Sequence, residues 1–190
     1  MSTVNDIITK TRWRIADSED LAYDEDQIIS ALNDGLADLS ETGFFQHLET
    51  EDSPGTTLAF SALDYKPRKI LRIDTGTSQL LHSRIGEMQA DTSVSAWVVW
   101  GQSIRFNAAT STTITVYYTA YPPTYTVASA QLDARIDPYI SALSAFVEAR
   151  LRLTDNDGEA YDKAMAEYMA FKANLSKTIE EQMINGGFAQ

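Results

Sequence analysis

The sequence predicts an α+β fold: a helical bundle of N- and C-terminal helices with an inserted antiparallel β-sheet or sandwich. Three observations support this prediction. Amphipathic helical spacing occurs before residue 43 and again after residue 129, and two-residue alternation with turn signals lies between them. The expected domains are the N-terminal bundle helices (1–43), the β-rich insertion (44–128), the C-terminal bundle helices (129–183) and a flexible tail (184–190).

Two helices are expected in the N-terminal segment. Thr3 can cap the first, whose apolar residues recur at spacings of three and four, and which should end near Asp17. Asp24, with Gln27 three residues later, has the form of a capping box. The apolar stripe that follows predicts a second helix that ends near Gly43.

Two further helices are expected at the C-terminal end. Asp137-Pro138 opens one apolar series between residues 140 and 151, and a second series runs from 161 to 179. These spacings suit two helices folded back on each other. Asn156 with Glu159 predicts a capping box at the start of the second of them.

Short strands are expected in the middle of the chain, where no room remains for crossover helices. Residues 97–100 and 103–106 flank Gly101-Gln102, which suits a two-residue type II′ hairpin turn. The stretch 113–121 alternates, so one face should be core and the other half aromatic. Shorter strands are expected near residues 57–60 and 70–73.

Composition limits the function. The chain has 190 residues, 15 basic against 27 acidic side chains, and a net charge of −12. Such a charge disfavours tight binding of DNA phosphates. Since there is no cysteine, thiol nucleophiles, disulfides and zinc–thiolate sites are excluded. No secretory signal or membrane span is recognisable, so we expect a soluble, intracellular protein where it is made.

No catalytic, metal or cofactor site is predicted, and the chain is expected not to be an enzyme. His47 and His82 sit in no recognised motif. The acidic residues between 17 and 26 could suggest a calcium site, but carboxylates at a helix N-terminus explain them better. The hypothesis of a hydrolase with catalytic carboxylates is supported only by acidic residues of the kind that any acidic protein contains.

Aromatic residues of the β-rich middle are the candidates for binding. Together with Tyr125, the residues Trp97, Trp100, Tyr117 and Tyr121 could form a stacking platform for sugar, a contact surface for another protein, or part of the core. Trp97, Trp100, Tyr117 and Tyr121 are the candidates for a subunit or tail interface. Because Tyr117 and Tyr118 are neighbours on one strand, they should face opposite sides. At least one of them is therefore expected outside the main core.

Taken in order, five segments resemble the head-to-tail adaptor (connector) proteins of tailed bacteriophages. They are Arg14-Ile15-Ala16-Asp17, the eight residues 28–35 (IISALNDG), 64–70 (DYKPRKI), 116–123 (VYYTAYPP) and Asp137-Pro138-Tyr139-Ile140. The likeness covers most of the chain. None of the segments has a catalytic signature, so the resemblance depends on their order and spacing along the chain.

The resemblance implies a structural virion protein that forms a ring of about twelve copies between the portal protein and the tail nozzle or tube. DNA would be passing cargo, and the ring would assemble in the host cytoplasm. It also implies a portal-docking C-terminal segment, for which Met183, Ile184 and Phe188 are the candidates. The alternative is a carbohydrate- or receptor-binding β-module of a phage tail.

Overall fold

The structure is a computed structural model that describes residues 2–17, 22–76, 78–84, 86–88 and 93–184. These residues contain four helices and two four-stranded sheets, so the predicted α+β class is confirmed. The helices are α1 (Val4–Ile15), α2 (Glu25–Ser40), α3 (Ile140–Thr154) and α4 (Gly158–Ile184). The strands are β1 (Gln46–Glu51), β2 (Gly55–Ala59), β3 (Pro67–Thr75), β4 (Ser78–Gln79), β5 (Leu81–His82), β6 (Ala96–Trp100), β7 (Ser103–Thr110) and β8 (Ile114–Ala120).

The chain divides into two compact units. Among the described residues, the β unit is Phe45–Tyr121, and the helical unit combines the residues up to Phe44 with residues 122–184. Residues 122–128, which the sequence assigns to the insertion, lie in the helical unit. There the side chain of Asn33 exchanges two hydrogen bonds with the backbone of Tyr125, at 2.8 and 2.9 Å.

The N-terminal ends of α1 and α2 form where the sequence predicts them. The Asp24 carboxylate accepts a hydrogen bond from the backbone N–H of Gln27 (2.7 Å), and the Gln27 side chain accepts one from the Asp24 N–H (3.0 Å). At α1, the backbone N–H of Thr3 donates to Asp6 (2.6 Å). At the start of both helices, side-chain oxygens therefore accept hydrogen bonds from backbone N–H groups that would otherwise be unpaired.

The helix α3 lies at the centre of the helical unit and packs against the other three helices. Its residues are buried on most sides, as Leu143, Ala145 and Val147 show. Gly35 allows close packing here, because a Cβ at this position would lie 2.9 Å from the ring of Phe146. The small residue thus lets α2 and α3 approach.

The cap predicted between α3 and α4 is wrong by one residue. Asn156 has φ 58° and ends α3 in the left-handed conformation that Asn tolerates. Asp157 caps α4 instead, because its carboxylate accepts a hydrogen bond from the backbone N–H of Ala160 (3.2 Å). An N-cap needs extended backbone, which leaves the residue after Asn156 to fill that role.

The β unit contains two sheets with the strand orders β1-β8-β3-β4 (the first sheet) and β2-β7-β6-β5 (the second sheet). All pairs are antiparallel except β5 with β6, which is parallel. Residues from both sheets share one core: Leu58, Leu63, Ile70, Ile73, Leu80, Trp97, Ile104, Phe106, Ile114, Val116, Tyr118 and Ala120. The inner faces of the two sheets therefore pack together.

The predicted hairpin is present. Trp100 pairs with Ser103 across the two-residue loop, and Gly101 has φ 60° while Gln102 does not have a positive φ. This combination is that of a type II′ turn, in which the first central residue requires φ above zero. The hairpin fixes the register of β6 against β7.

Candidate functional site: interaction surfaces

The two histidines lie on different sheets and have aromatic surroundings. The His47 ring stacks on Tyr65, with centroids 4.0 Å apart, and the His82 ring lies 4.4 Å from that of Trp97. Within the described ranges, no cluster of three or more His, Asp or Glu side chains could hold a metal ion.

Trp97 and Trp100 have different environments although three positions separate them. Trp97 is 3% exposed and contributes its ring to the core. Trp100 is 46% exposed on the outer face of the second sheet, where the Arg105 guanidinium lies 4.9 Å from its ring centroid. Trp100 and Arg105 thus lie together on the outer surface of the hairpin.

Tyr117 lies on the outer face of the first sheet, whereas Tyr118 is fully buried in the core. Leu48 of β1 and Arg72 of β3 are the cross-strand partners of Tyr117 on either side. Leu48 is half exposed, and the Arg72 guanidinium lies 5.4 Å from the Tyr117 ring centroid. This row of three side chains forms the centre of an outward-facing surface.

Tyr121 extends the same surface beyond the end of β8. Its ring is half exposed, and the Lys66 ammonium lies 5.3 Å from the ring centroid. Lys69, the partner of Thr119, is also exposed. We define the first-sheet surface as Leu48, Lys66, Lys69, Arg72, Tyr117 and Tyr121.

The first-sheet surface is basic within an acidic chain. Lys66, Lys69 and Arg72 supply three positive charges, and Arg72 is partly balanced by Asp74, with the closest N–O distance at 2.6 Å. Its hydrogen bond to Asp74 raises the pKa of Arg72 above its ordinary value, so the guanidinium stays charged. Cations over aromatic rings suit a partner that is itself acidic or rich in acceptors.

The structure does not bring the four predicted interface aromatics together. Tyr117 and Tyr121 lie on the outer face of the first sheet, and Trp100 lies on the outer face of the second. Because the inner faces share one core, these two surfaces point in opposite directions. They offer two separate contacts.

The predicted portal-docking residues fall at the end of α4. Met183 and Ile184 lie in its last turn, while Phe188 lies outside the described residues. The helix has 27 residues against 15 in α3. At 1.5 Å per residue, α4 is therefore about 18 Å longer than the helix with which it pairs.

A protein-family model described as SU10 adaptor protein matches residues 2–187. The chain belongs to the SU10 adaptor protein family. The predicted resemblance to phage head-to-tail adaptors is thereby confirmed. Comparison with curated proteins gives no match.

Membership makes this adaptor a structural component of a phage virion, in a family that is not an enzyme class. It also implies association with portal and tail components of the phage. The family match includes both compact units. Among the helices in the described part of the adaptor, none is long and apolar enough to cross a membrane.

The cations of the first-sheet surface are absent from the residues that sequence reasoning selected. A signal was present, because the segment from Lys66 to Arg72 carries four basic residues. In the sequence this segment overlaps the stretch 64–70 that supports the family resemblance, and it leads into the strand expected near residues 70–73. What the sequence does not reveal is the bulge between Ile70 and Arg72 that places Arg72 beside Tyr117.

Proposed function

We propose that this adaptor forms a closed ring of about twelve copies that joins the portal to the tail nozzle or tube. The observation that supports the proposal most is the family match from residue 2 to residue 187, which spans the bundle and its β insertion. DNA passes through the ring as cargo. The ring assembles in the host cytoplasm and becomes part of the neck of the virion.

The net charge fits a conduit for DNA. At −12 per copy, a ring repels the phosphate backbone and disfavours adhesion of the passing genome. The first-sheet surface is an exception to this charge, since it is locally basic. Because its cations lie beside aromatic rings, we assign Tyr117 and Tyr121 to contact with a tail protein or a neighbouring copy.

Portal docking is assigned to the end of α4 and the residues after it. Met183, Ile184 and Phe188 are the apolar residues of this segment that would bury area against the portal. The segment begins in the last turn of α4, which is longer than its packing partner α3. A short apolar segment at such an end can dock on another protein without disturbing the bundle.

The test is native mass spectrometry of the adaptor mixed with the portal ring of its phage. We expect a complex of one portal ring with about twelve adaptor copies. A truncated chain that ends at Glu181 should remain folded by circular dichroism and lose portal binding. The matched control is Trp100→Ala, which removes an exposed ring of the β unit and should leave portal binding unchanged.

Two results would contradict parts of this proposal. Undiminished portal binding by the truncated chain would remove Met183, Ile184 and Phe188 from the docking site. A wild-type adaptor that stays monomeric in the presence of the portal would remove the ring itself.

A further inference from the structure

Trp13 is an exposed tryptophan on the helical unit. Its side chain is 81% exposed, although the opposite face of α1 is buried from Val4 to Ile15. It borders a groove of about 430 Å³ between α1, α3 and α4, which Arg14, Arg152 and Lys163 also line. Tryptophan is among the residues most enriched in the energetic centres of protein interfaces. We name this site the Trp13 groove.

A second recess lies between α2 and α3 and has a volume of about 300 Å³. The buried residues Ala31 and Leu151 and the half-exposed Leu153 give it an apolar lining. Ser30 and Asp34 border it from α2. A recess of this kind accepts a flat apolar side chain, and we name it the α2–α3 cleft.

The two sites lie on opposite sides of α3. Arg150 borders the α2–α3 cleft, whereas Glu148 and Arg152 border the Trp13 groove. Residues two positions apart on an α-helix point about 200° apart. A protruding ring on one side and a recess on the other form the unlike pair of patches that a head-to-tail contact requires.

The charges of the two sites are complementary. Three basic side chains (Arg14, Arg152 and Lys163) and two acidic ones line the Trp13 groove. Arg14 is paired with both acids, Glu148 and Glu167, so the excess positive charge comes from Arg152 and Lys163. At the cleft, Asp34 is paired with Arg150 (2.9 Å), and the other charged residues of α2 are acidic, with Glu25 and Asp26 in its first turn. Docking of one site on the other therefore brings the basic groove towards the acidic helix, which favours this orientation.

We propose that Trp13 of one subunit docks into the α2–α3 cleft of the next subunit around the ring. This inference rests on the proposed ring and names the contact between its neighbours. A buried tryptophan removes about 150–250 Å² of surface from water, which is a large contribution for one side chain. Leu151 and Leu153 of the neighbour would contact the indole.

Cross-linking tests the contact directly, because the natural chain has no cysteine. Thr9 is exposed one helical turn before Trp13, and Ser30 is exposed at the cleft. Full-length Thr9→Cys and Ser30→Cys chains are mixed with the portal ring and treated with a short bis-maleimide. We expect a covalent dimer from the mixture and at most a trace from either variant alone. Thr178→Cys mixed with Ser30→Cys is the control for random collision.

Native mass spectrometry of the same samples measures the ring. Trp13→Ala and Ser30→Trp, which fills the cleft, should each lower the yield of rings on the portal about tenfold. Met169→Ala removes another half-exposed apolar side chain of the helical unit and should leave the yield unchanged. All three positions are exposed, so folding is checked by circular dichroism and expected to be retained.

The outcomes separate this inference from the ring itself. Rings that form undiminished with Trp13→Ala, and give no Thr9–Ser30 cross-link, would overturn the contact and leave the ring in place. Failure of the wild-type chain to form rings, with the specific cross-link still present, would overturn the ring and keep the contact between copies. Absence of both the ring and the cross-link would overturn both.

Discussion

The helical unit is assembled from two segments that the whole β unit separates in sequence, whereas the β unit is one continuous segment. Partly buried polar pairs join the two helical segments. Arg14 donates to Glu148 (2.7 Å), and Asp38 accepts from Tyr168 (2.5 Å) and Lys172 (2.8 Å). In the β unit, Arg72 and Arg105 lie instead beside aromatic rings on the outer faces of the sheets, Tyr117 and Trp100.

The difference shows how the two units use their positive charges. In the helical unit, charges specify which distant segments meet, because a partly buried charge without its partner is costly. In the β unit, the shared apolar core joins the sheets, and the cations remain on the surface. Loss of a cation should therefore weaken folding in the first unit and partner binding in the second.

The largest effect is expected from Tyr168→Ala. This ring is fully buried, and it contacts Phe146 edge to face at 4.9 Å between centroids. Removal should lower the free energy of unfolding by about 3–5 kcal/mol in urea denaturation followed by circular dichroism. Tyr168→Phe keeps the ring and removes only the hydrogen bond to Asp38, so about 1–2 kcal/mol is expected. Equal losses for both variants would contradict a packing role for the ring.

The next largest effect is expected from Gly35→Ala, which should lower the free energy of unfolding by about 1–3 kcal/mol. Alanine usually favours a helix interior, but here its Cβ would lie 2.9 Å from the Phe146 ring. Gly158→Ala is the matched control, since open space surrounds that position. Thermal unfolding compares the stability of the two variants with that of the wild type. A stabilised Gly35→Ala chain would show that α2 and α3 do not pack so closely.

Arg14→Met should lower the free energy of unfolding by about 1–2 kcal/mol at neutral pH, and this loss should depend on pH. The hydrogen bond from Arg14 lowers the pKa of Glu167 below its ordinary value of 4.5. This contribution is therefore present above pH 4.5 and is lost as the pH falls through the lowered pKa. Urea titrations of wild type and variant between pH 7 and about 3 should converge partly on acidification.

A double-mutant cycle sharpens this comparison. Glu167→Gln combined with Arg14→Met isolates the coupling, which should be below about 1 kcal/mol because Glu167 is half exposed. No change of the Arg14→Met cost with pH would contradict a contribution from the Arg14–Glu167 pair.

The smallest effect on folding is expected from Arg105→Ala, which removes a cation from beside the half-exposed Trp100 ring and should lower the free energy of unfolding by about 0.5–1 kcal/mol in thermal unfolding. Arg72→Ala should lower it by about 1–3 kcal/mol, because it also leaves the buried Asp74 carboxylate without its ion-pair partner. If the first-sheet surface contacts a partner, Arg72→Ala should weaken assembly with the tail or neighbouring copies far more than Arg105→Ala does. Equal behaviour of the two variants in a binding assay would argue against that surface.

Local signals explain what the sequence predicts well. The Asp24 box, the hairpin turn at Gly101 and the alternation of β8 each depend on residues close in sequence, and the structure has all three. Strand β1 was missed because Gln46–Glu51 is polar and acquires its strand conformation from pairing with β8.

The candidate sites were less predictable because they depend on long-range register. Alternation alone predicts that Trp97 and Trp100 face opposite sides, but the second sheet's packing decides which one is buried. Without the bulge after Ile70, Arg72 would pair with Val116 and point into the core. Similarly, the exposure of Trp13 depends on which side of α1 packs against α3. The spacing of apolar residues within one helix does not reveal the recess that α2 and α3 form together.

The central claim is that this adaptor closes into a ring on its portal. Native mass spectrometry of the two purified proteins, mixed at equal subunit concentrations, tests it most directly. We predict one dominant complex that contains a portal ring and about twelve adaptor copies, with no stable open intermediates. Monomeric adaptor beside an unoccupied portal, or a broad ladder of adaptor copies without a closed state, would contradict the claim.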